Sequence, residues 1–423
     1  MSTCSKRTTH VLPASCLALL AAFGAAGAPA AELPPGTVIE KSNLDKVRND
    51  TFGGHRVADL LTDKLDWQVR NWNLRITLDP AKAIPAEPRL VEATKKYAGQ
   101  VKLDPASKEV SGYTAGLPFP EIAESDPDAG YKIMWNYYYA PREGDTVYNK
   151  SIILGINGDS GLETKQSWIY QRYYFKGRLL GDKPVVGDGS IAAKTYLLAQ
   201  YPEDIKGLGT FAVRPDAAKF EETWAYLKSA RRARRLSGGA WMDPVGGTDM
   251  LGDDTNVFNA RPSWYKGFKL TGRRWVLAIT DGQKDNHVPS KAGTPEEFPS
   301  VDLKNPPYWN PVAKWQPREV FVVEATPPAE HPYSKRVMYV DVNTFRPYYS
   351  ENYDKKGEFW KFTMSEMRTA VSDGGQKVLL YTGFDAIDFK ARHASIAVIQ
   401  GRADPAGVNE SHWSLSALEE LAK

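Results

Sequence analysis

Apolar residues recur along this chain at two periods, and the switch from one to the other divides it. Between His55 and Asp66, Val57, Leu60, Leu61 and Leu65 fall at helical spacing, which predicts one helix. Glu87 to Gly99 predicts a second, opened by Pro88 and stopped by glycine. Ser125-Asp126-Pro127-Asp128 supplies a capping side chain, a proline for the first turn and an acid facing the macrodipole. The helix it opens should run to about Tyr139 and bury Ile133 and Tyr137, which are one turn apart. Gly116-Leu117-Pro118-Phe119-Pro120, before it, suits neither a helix nor a central strand.

From Thr146 onward the pattern is that of strands. Trp168 to Phe175 is rich in aromatics that suit a pleated surface. Further strands are expected at 208–214, 223–227, 232–236, 275–280, 319–325, 336–342, 347–353, 358–363 and 377–384. Asn157-Gly158-Asp159 and Tyr353-Asp354-Lys355-Lys356-Gly357 carry the residues that hairpin turns demand. Strands joined by turns, without alternating helices, imply an antiparallel sheet. A short helix closes the chain around Ser416–Ala422. Residues 281–317 break the pattern: they are proline-rich, and a loop of that length is either functional or disordered. Trp309 and Trp315 favour a loop that packs back on the body, and whether it forms a lid stays open. With no repeat or linker in view, residues 31–423 are expected to form a single domain.

The first thirty residues add a location. Lys6, Arg7 and His10 precede an alanine-rich apolar run from Val11 to Ala26, and Ala28-Pro29-Ala30 offers the small residues that signal peptidase reads. Cleavage after Ala30 would send the protein to the periplasm. Lipoprotein processing at Cys16 is the rival, against which Pro13 stands where an aliphatic residue is wanted. Cleavage removes Cys4 and Cys16, the only cysteines, so the mature chain has no disulfide, thiol nucleophile or thiolate metal site. It also removes one Lys, one Arg and no acid, so the net charge falls from +3 to +1. A near-neutral chain argues against a nucleic-acid partner.

Motifs of catalysis are thin. Gly158-Asp159-Ser160-Gly161 matches the nucleophile tetrapeptide of chymotrypsin-like proteases, but the only mature histidine upstream is His55, and the tetrapeptide sits where a turn is needed. Gly207-Leu208-Gly209 lacks the rest of a dinucleotide fingerprint. The five mature histidines (His55, His287, His331, His393, His412) show no zinc spacing, so no metal and no cofactor are expected. Asp243, Asp249, Asp253 and Asp254 lie among glycines, where side-chain turns explain them as well as Ca²⁺ does. No nucleophile–base pair stands out, so the chain reads as a non-enzyme.

What remains is aromatic. Twelve Trp and twenty-one Tyr are more than packing usually demands, and aromatics with a polar tip line cavities for amphipathic ligands well. Trp168, Tyr170, Arg172 and Tyr174 share one strand face. Trp168, Tyr170, Tyr174, Trp224 and Tyr226 are therefore the expected wall residues. Arg231, Arg232, Arg234 and Arg235 cluster nearby, and Arg232 and Arg234, on one face, are the expected head-group contacts.

Several landmarks then recur together. Gly112-Tyr113-Thr114-Ala115-Gly116-Leu117-Pro118-Phe119-Pro120, Trp135-Asn136 and Tyr201-Pro202-Glu203-Asp204-Ile205-Lys206-Gly207 resemble the bacterial family called domain of unknown function 1329. Trp224-Ala225-Tyr226-Leu227, Met242-Asp243-Pro244, Gly247-Thr248-Asp249 and Val322-Val323-Glu324-Ala325-Thr326 continue that resemblance. The strand ending in Tyr226-Leu227, the arginine-rich strand Arg231-Arg232-Ala233-Arg234-Arg235-Leu236 and then Gly247-Thr248-Asp249 are also similar to the LolA/LolB superfamily of periplasmic lipoprotein carriers. That likeness implies an α+β fold: a large curved antiparallel sheet, an unclosed barrel, with helices packed on its concave face around an apolar cavity. It implies a carrier whose partner is a lipid, acyl chain or sterol-like molecule, with an envelope transporter or outer-membrane protein as a further partner. The alternative is an assembly or accessory factor for an outer-membrane protein or efflux complex.

Overall fold

In the computed structural model, residues 1–3, 30–140, 143–228 and 232–422 are described; residues 4–29 of the expected export signal and Arg231 lie outside them. Thirteen principal strands organise the chain. A first meander comprises β1 (Thr146–Asn157), β2 (Gly161–Tyr174), β3 (Ile191–Tyr201), β4 (Gly209–Pro215), β5 (Glu222–Leu227) and β6 (Arg232–Arg235). After a crossing segment come β7 (Gly267–Ala278), β8 (Lys314–Thr326), β9 (Lys335–Asp341), β10 (Pro347–Tyr353), β11 (Phe359–Val371), β12 (Lys377–Asp388) and β13 (His393–Ala403). With two short strands, Val38–Ile39 and Ile76–Leu78, they form one fifteen-stranded sheet.

From β8 the spatial order runs through β9 to β13, then β1 to β6, so the last strand pairs with the first of the meander. β7 and Ile76–Leu78 both pair with β8, the latter in parallel, and every other pair in this sheet is antiparallel. The sheet is not closed: β6 forms one end. Turn chemistry sets the hairpins as expected. Asn157 Oδ1 accepts from the Asp159 and Ser160 amides, and Asp354 Oδ1 accepts from those of Lys356 and Glu358, with Gly357 at φ +79°.

The helix expected over 55–66 is in fact two, α1 (Val57–Leu60) and α2 (Asp63–Asn71). Leu61 is extended between them, and Thr62 Oγ1 restarts the helix by accepting from the Leu65 amide. The next helices, α3 (Pro88–Tyr97), α4 (Ala129–Tyr139) and α5 (Leu415–Leu421), lie where the pattern put them, α4 opening at Asp128 rather than Ser125. Among the thirteen principal strands two carried no expectation, β3 and β13, and neither did the short strands Val38–Ile39 and Ile76–Leu78. Most of β13 is buried on both faces, so Ala394-Ser395-Ile396-Ala397-Val398-Ile399 lacks the alternation that marks a one-sided strand. β7 starts at Gly267, eight residues before the expected position.

Both faces of the sheet are covered, by different parts of the chain. On one face α4 packs Tyr131, Ile133 and Met134 against Phe268, Phe321, Val323, Met338 and Val340. The approach is close enough that a Cβ on Gly130 would lie 2.4 Å from the Phe268 carbonyl oxygen. The crossing segment, residues 236–266, continues the cover on this face. The opposite face carries α1, α2, residues 281–313 and α5. Trp309 is buried there, edge-on to Trp72 at 5.2 Å, and Asn310 Nδ2 donates to the Trp72 carbonyl. Among the described residues no helix is long and apolar enough to cross a membrane.

Candidate functional site

The crossing segment is fastened at several points, most densely at its middle. Asp253 and Asp254, both fully buried, receive Arg336 of β9: Nη1 donates to Asp253 at 2.9 Å and Nη2 to Asp254 at 3.0 Å. Tyr333 donates to Asp254 at 2.7 Å, Tyr265 donates to Asp253, and His331 lies 3.2 Å from it. Burial pushes the Asp253 carboxyl up, but Arg336 and the hydrogen bonds outweigh it and hold the group at about 2. A second tie uses Asp249, whose Oδ2 lies 2.7 Å from both His393 Nδ1 and Ser395 Oγ.

Between its ties the segment stands off the sheet and, with it, bounds a partly open cavity of about 520 Å³. The strand register explains its floor. Ile153 faces Gln166, Ser151 faces Trp168, Tyr170 faces Leu197, Leu197 faces Thr210, and Thr210 faces Ala225, so one face of β1 to β5 points inward. Phe384 of β12 and Ala397 and Ile399 of β13 extend the floor, and Trp241, Val245 and Met250 of the crossing segment form the roof. The lining is mainly apolar, with Thr195, Thr210, Thr223 and Ser151 dispersed among the apolar groups. The four clustered aspartates do not converge on one point, and among the described residues no group of three His, Cys, Asp or Glu could hold a metal ion.

At one end the character changes. Arg172, Asn256 and Asn259 belong both to this cavity and to a smaller one of about 40 Å³, lined also by Tyr137, Tyr138, Glu143, Tyr174, Arg214 and Arg346. Arg172 Nε donates to Thr195 at 3.0 Å, and its guanidinium lies over the Tyr170 ring. Arg214 pairs with Glu221 and donates to Asn259. Burial raises the Glu143 carboxyl against the opposing pull of Arg346 and of a hydrogen bond from Asn149. Burial also raises the Tyr137 and Tyr170 phenols, leaving them neutral.

Of the residues expected to contact ligand, Trp168 and Tyr170 line the large cavity and Tyr174 the small one. Trp224 and Tyr226 do not join them. They face the other side of the sheet, where Trp224 stacks with Phe211 and Tyr226 is buried in the cluster around Leu418 of α5. Their small neighbours Thr223 and Ala225 line the cavity instead. Arg232 and Arg234 share the cavity's side of β6, opposite Leu227 and Ala225, but are exposed at the open end of the sheet and outside the lining. Sequence reasoning missed Arg346, Glu143, Asn259 and the Trp241–Met250 roof. Only Arg172 carried a signal, through its place between Tyr170 and Tyr174.

The tie at Asp249 bears on hydrolysis. It brings a serine, a histidine and an acid together, but with the carboxylate between the other two. Ser395 Oγ also accepts from the Asp249 amide and is 1 % exposed, so it is held in a structural bond and not presented to a base. Ser160, the serine of the protease-like tetrapeptide, is exposed in its turn with Glu163 as its side-chain partner.

The family model described as "Protein of unknown function (DUF1329)" matches residues 38–419. An uncharacterized protein of Pseudomonas aeruginosa is 22 % identical over 296 residues, which are 64 % of this chain and 57 % of that one. The chain thus spans little more than half the length of that relative. Among solved structures, a DUF1329 family protein from Desulfovibrio piger is 17 % identical, with a TM-score of 0.42, covering 65 % of this chain and 92 % of the other. A LolA superfamily protein from Nitrosomonas europaea is 14 % identical, with a TM-score of 0.37, over 65 % and 91 %.

Proposed function

The chain belongs to the DUF1329 family, and from the cavity that its sheet and crossing segment bound we propose that it is a non-catalytic binding or carrier protein for an amphipathic molecule. One observation carries this reading: a mainly apolar cavity of about 520 Å³ that ends in a cluster of buried polar groups. That size lies within the range of small-molecule sites. Each Å² of apolar ligand surface removed from water contributes about 25 cal/mol, which favours a lipid, an acyl chain or a sterol-like molecule. We place the protein outside the cytoplasm, in the periplasm, on the strength of its N-terminal export pattern. An envelope transporter or outer-membrane protein would offer the competing apolar site needed for release.

The assembly-factor alternative requires an exposed apolar patch or a strand edge open to pairing. β6, at one end of the sheet, carries Arg232, Arg234 and Arg235 in four residues, the kind of charge that blunts an edge. Native mass spectrometry of protein purified from the periplasm, with organic extraction, tests the carrier reading. A retained amphiphile is expected. A clean apo mass that persists after incubation with envelope lipid extract would overturn it.

A further inference from the structure

Arg346 is 4 % exposed and lines the small cavity, yet only one of its three nitrogens has a hydrogen bond among the described residues: Nη1 donates to Tyr381 at 2.8 Å. Nε and Nη2 are buried and meet no protein acceptor. These two N–H groups form the parallel edge of the guanidinium, the geometry that two oxygens of one carboxylate satisfy together. A guanidinium does not escape burial by losing its proton, so unpaired donors there carry a full desolvation cost.

The charges around it point the same way. Arg172, Arg214 and Arg346 face this end, against the carboxyls of Glu143 and Glu221. Glu221 is taken by Arg214, and among the described residues Glu143 makes no ion pair within 4 Å of either remaining arginine. With both acids ionised, the described charges at this end leave one positive charge over, beside a space of about 40 Å³ lined by the three arginines and Glu143. One small anion balances it. The exposed Arg232 and Arg234 lie outside this lining.

We infer that the inner end of the cavity is a carboxylate site, so that the ligand is an amphipathic carboxylic acid held head-inward by Arg346, with Arg172 beside it. This rests on the carrier reading above and names its ligand class. The acyl or ring portion lies along Trp168 and Leu197, and the apolar end points toward the wider part of the cavity.

The test compares three ligands of one chain length (laurate, dodecanol and dodecyl phosphate) by calorimetry on the mature protein and on R346Q. Laurate is expected to bind the wild type at least tenfold more tightly than dodecanol, and R346Q is expected to remove that preference. R234Q, outside the cavity, should leave laurate affinity unchanged. If none of the three binds the wild type, the carrier reading itself fails. If laurate and dodecanol bind equally, the carrier reading stands and the carboxylate site is overturned. Tighter binding of dodecyl phosphate than laurate also overturns it, in favour of a phosphate head. Should R346Q not fold, carbon-13 NMR of carboxyl-labelled laurate on the wild type decides. A bound carboxyl that stays ionised at least one pH unit below the free acid supports the site, and an unshifted titration overturns it.

Discussion

Tyr381 accepts a hydrogen bond from Nη1 of Arg346 at 2.8 Å, on the side of the guanidinium away from its unpaired Nε–Nη2 edge. Fixing one corner of a planar group sets the direction of the opposite edge. Tyr381→Phe should therefore weaken laurate binding by about fivefold, the scale of one hydrogen bond, and dodecanol binding much less. The ratio of the two affinities separates this positioning effect from a general loss of the cavity.

Space in the cavity comes from small side chains, and bulk on the opposite face comes from large ones. Ala225→Trp should obstruct part of the cavity and weaken amphiphile binding at least tenfold, while shifting stability by roughly 1–3 kcal/mol at most. Tyr226→Ala, one residue away, should cost roughly 3 kcal/mol of stability by emptying the packing beneath α5. Dye displacement and urea denaturation, run on both variants, check this division.

The Arg336–Asp253 pair ties stability to acid. Asp253 is depressed when folded, so its contribution is present above the ordinary carboxylate range and is lost as the pH falls from about 4 through about 2. The amount is roughly 2 kcal/mol. Asp253→Asn should flatten that part of the pH–stability curve. It should also destabilise the protein at neutral pH by about 3 kcal/mol or more, because Arg336 then loses a buried partner. Neutral-pH melts of the variant, together with an acid titration of the wild type, measure both effects.

Glu366 and Asp385 produce the opposite slope. They are neighbouring buried carboxyls on β11 and β12, and burial raises both, Glu366 to about 8. A raised carboxyl keeps its proton in the folded state after the unfolded chain has released it. Stability should thus fall as the pH rises from about 4.5 through about 8, by about 1.4 kcal/mol for each pKa unit of the shift. Glu366→Gln should remove much of this decline, seen as a smaller difference between melting temperatures at pH 5 and pH 8. A variant that declines as steeply as the wild type would argue that the pair is not the source.

Much of the fold was legible because local rules and the final structure agree. β10 has the expected bounds, Pro347–Tyr353, set by its tyrosines and by the turn that follows at Asp354–Gly357. Strand β13 was hidden because burial on both faces erases period two, and the 55–66 helix was overdrawn because Leu61 fits the helical pattern but is extended. At the site, alternation grouped Trp168, Tyr170 and Tyr174 on one face. It gave no means of deciding which face of β5 meets the cavity, and large aromatics drew the choice to Trp224 and Tyr226. A cavity exists where bulk is missing, so Thr223 and Ala225 were the better indicators. Arg346, flanked by Phe345 and Pro347, has no local pattern; its role comes from β12 and α4, which lie far away in the sequence.

The pairing of β13 with β1 also sets an order of events. Val147 to Asn157 find their partners among residues 393–403, more than two hundred positions later in the chain. Until that last strand has emerged, the first meander has an unpaired edge along β1 and its cavity floor is incomplete. Contacts this distant form slowly. The cavity floor is therefore completed late in folding, when its most distant pairing has formed.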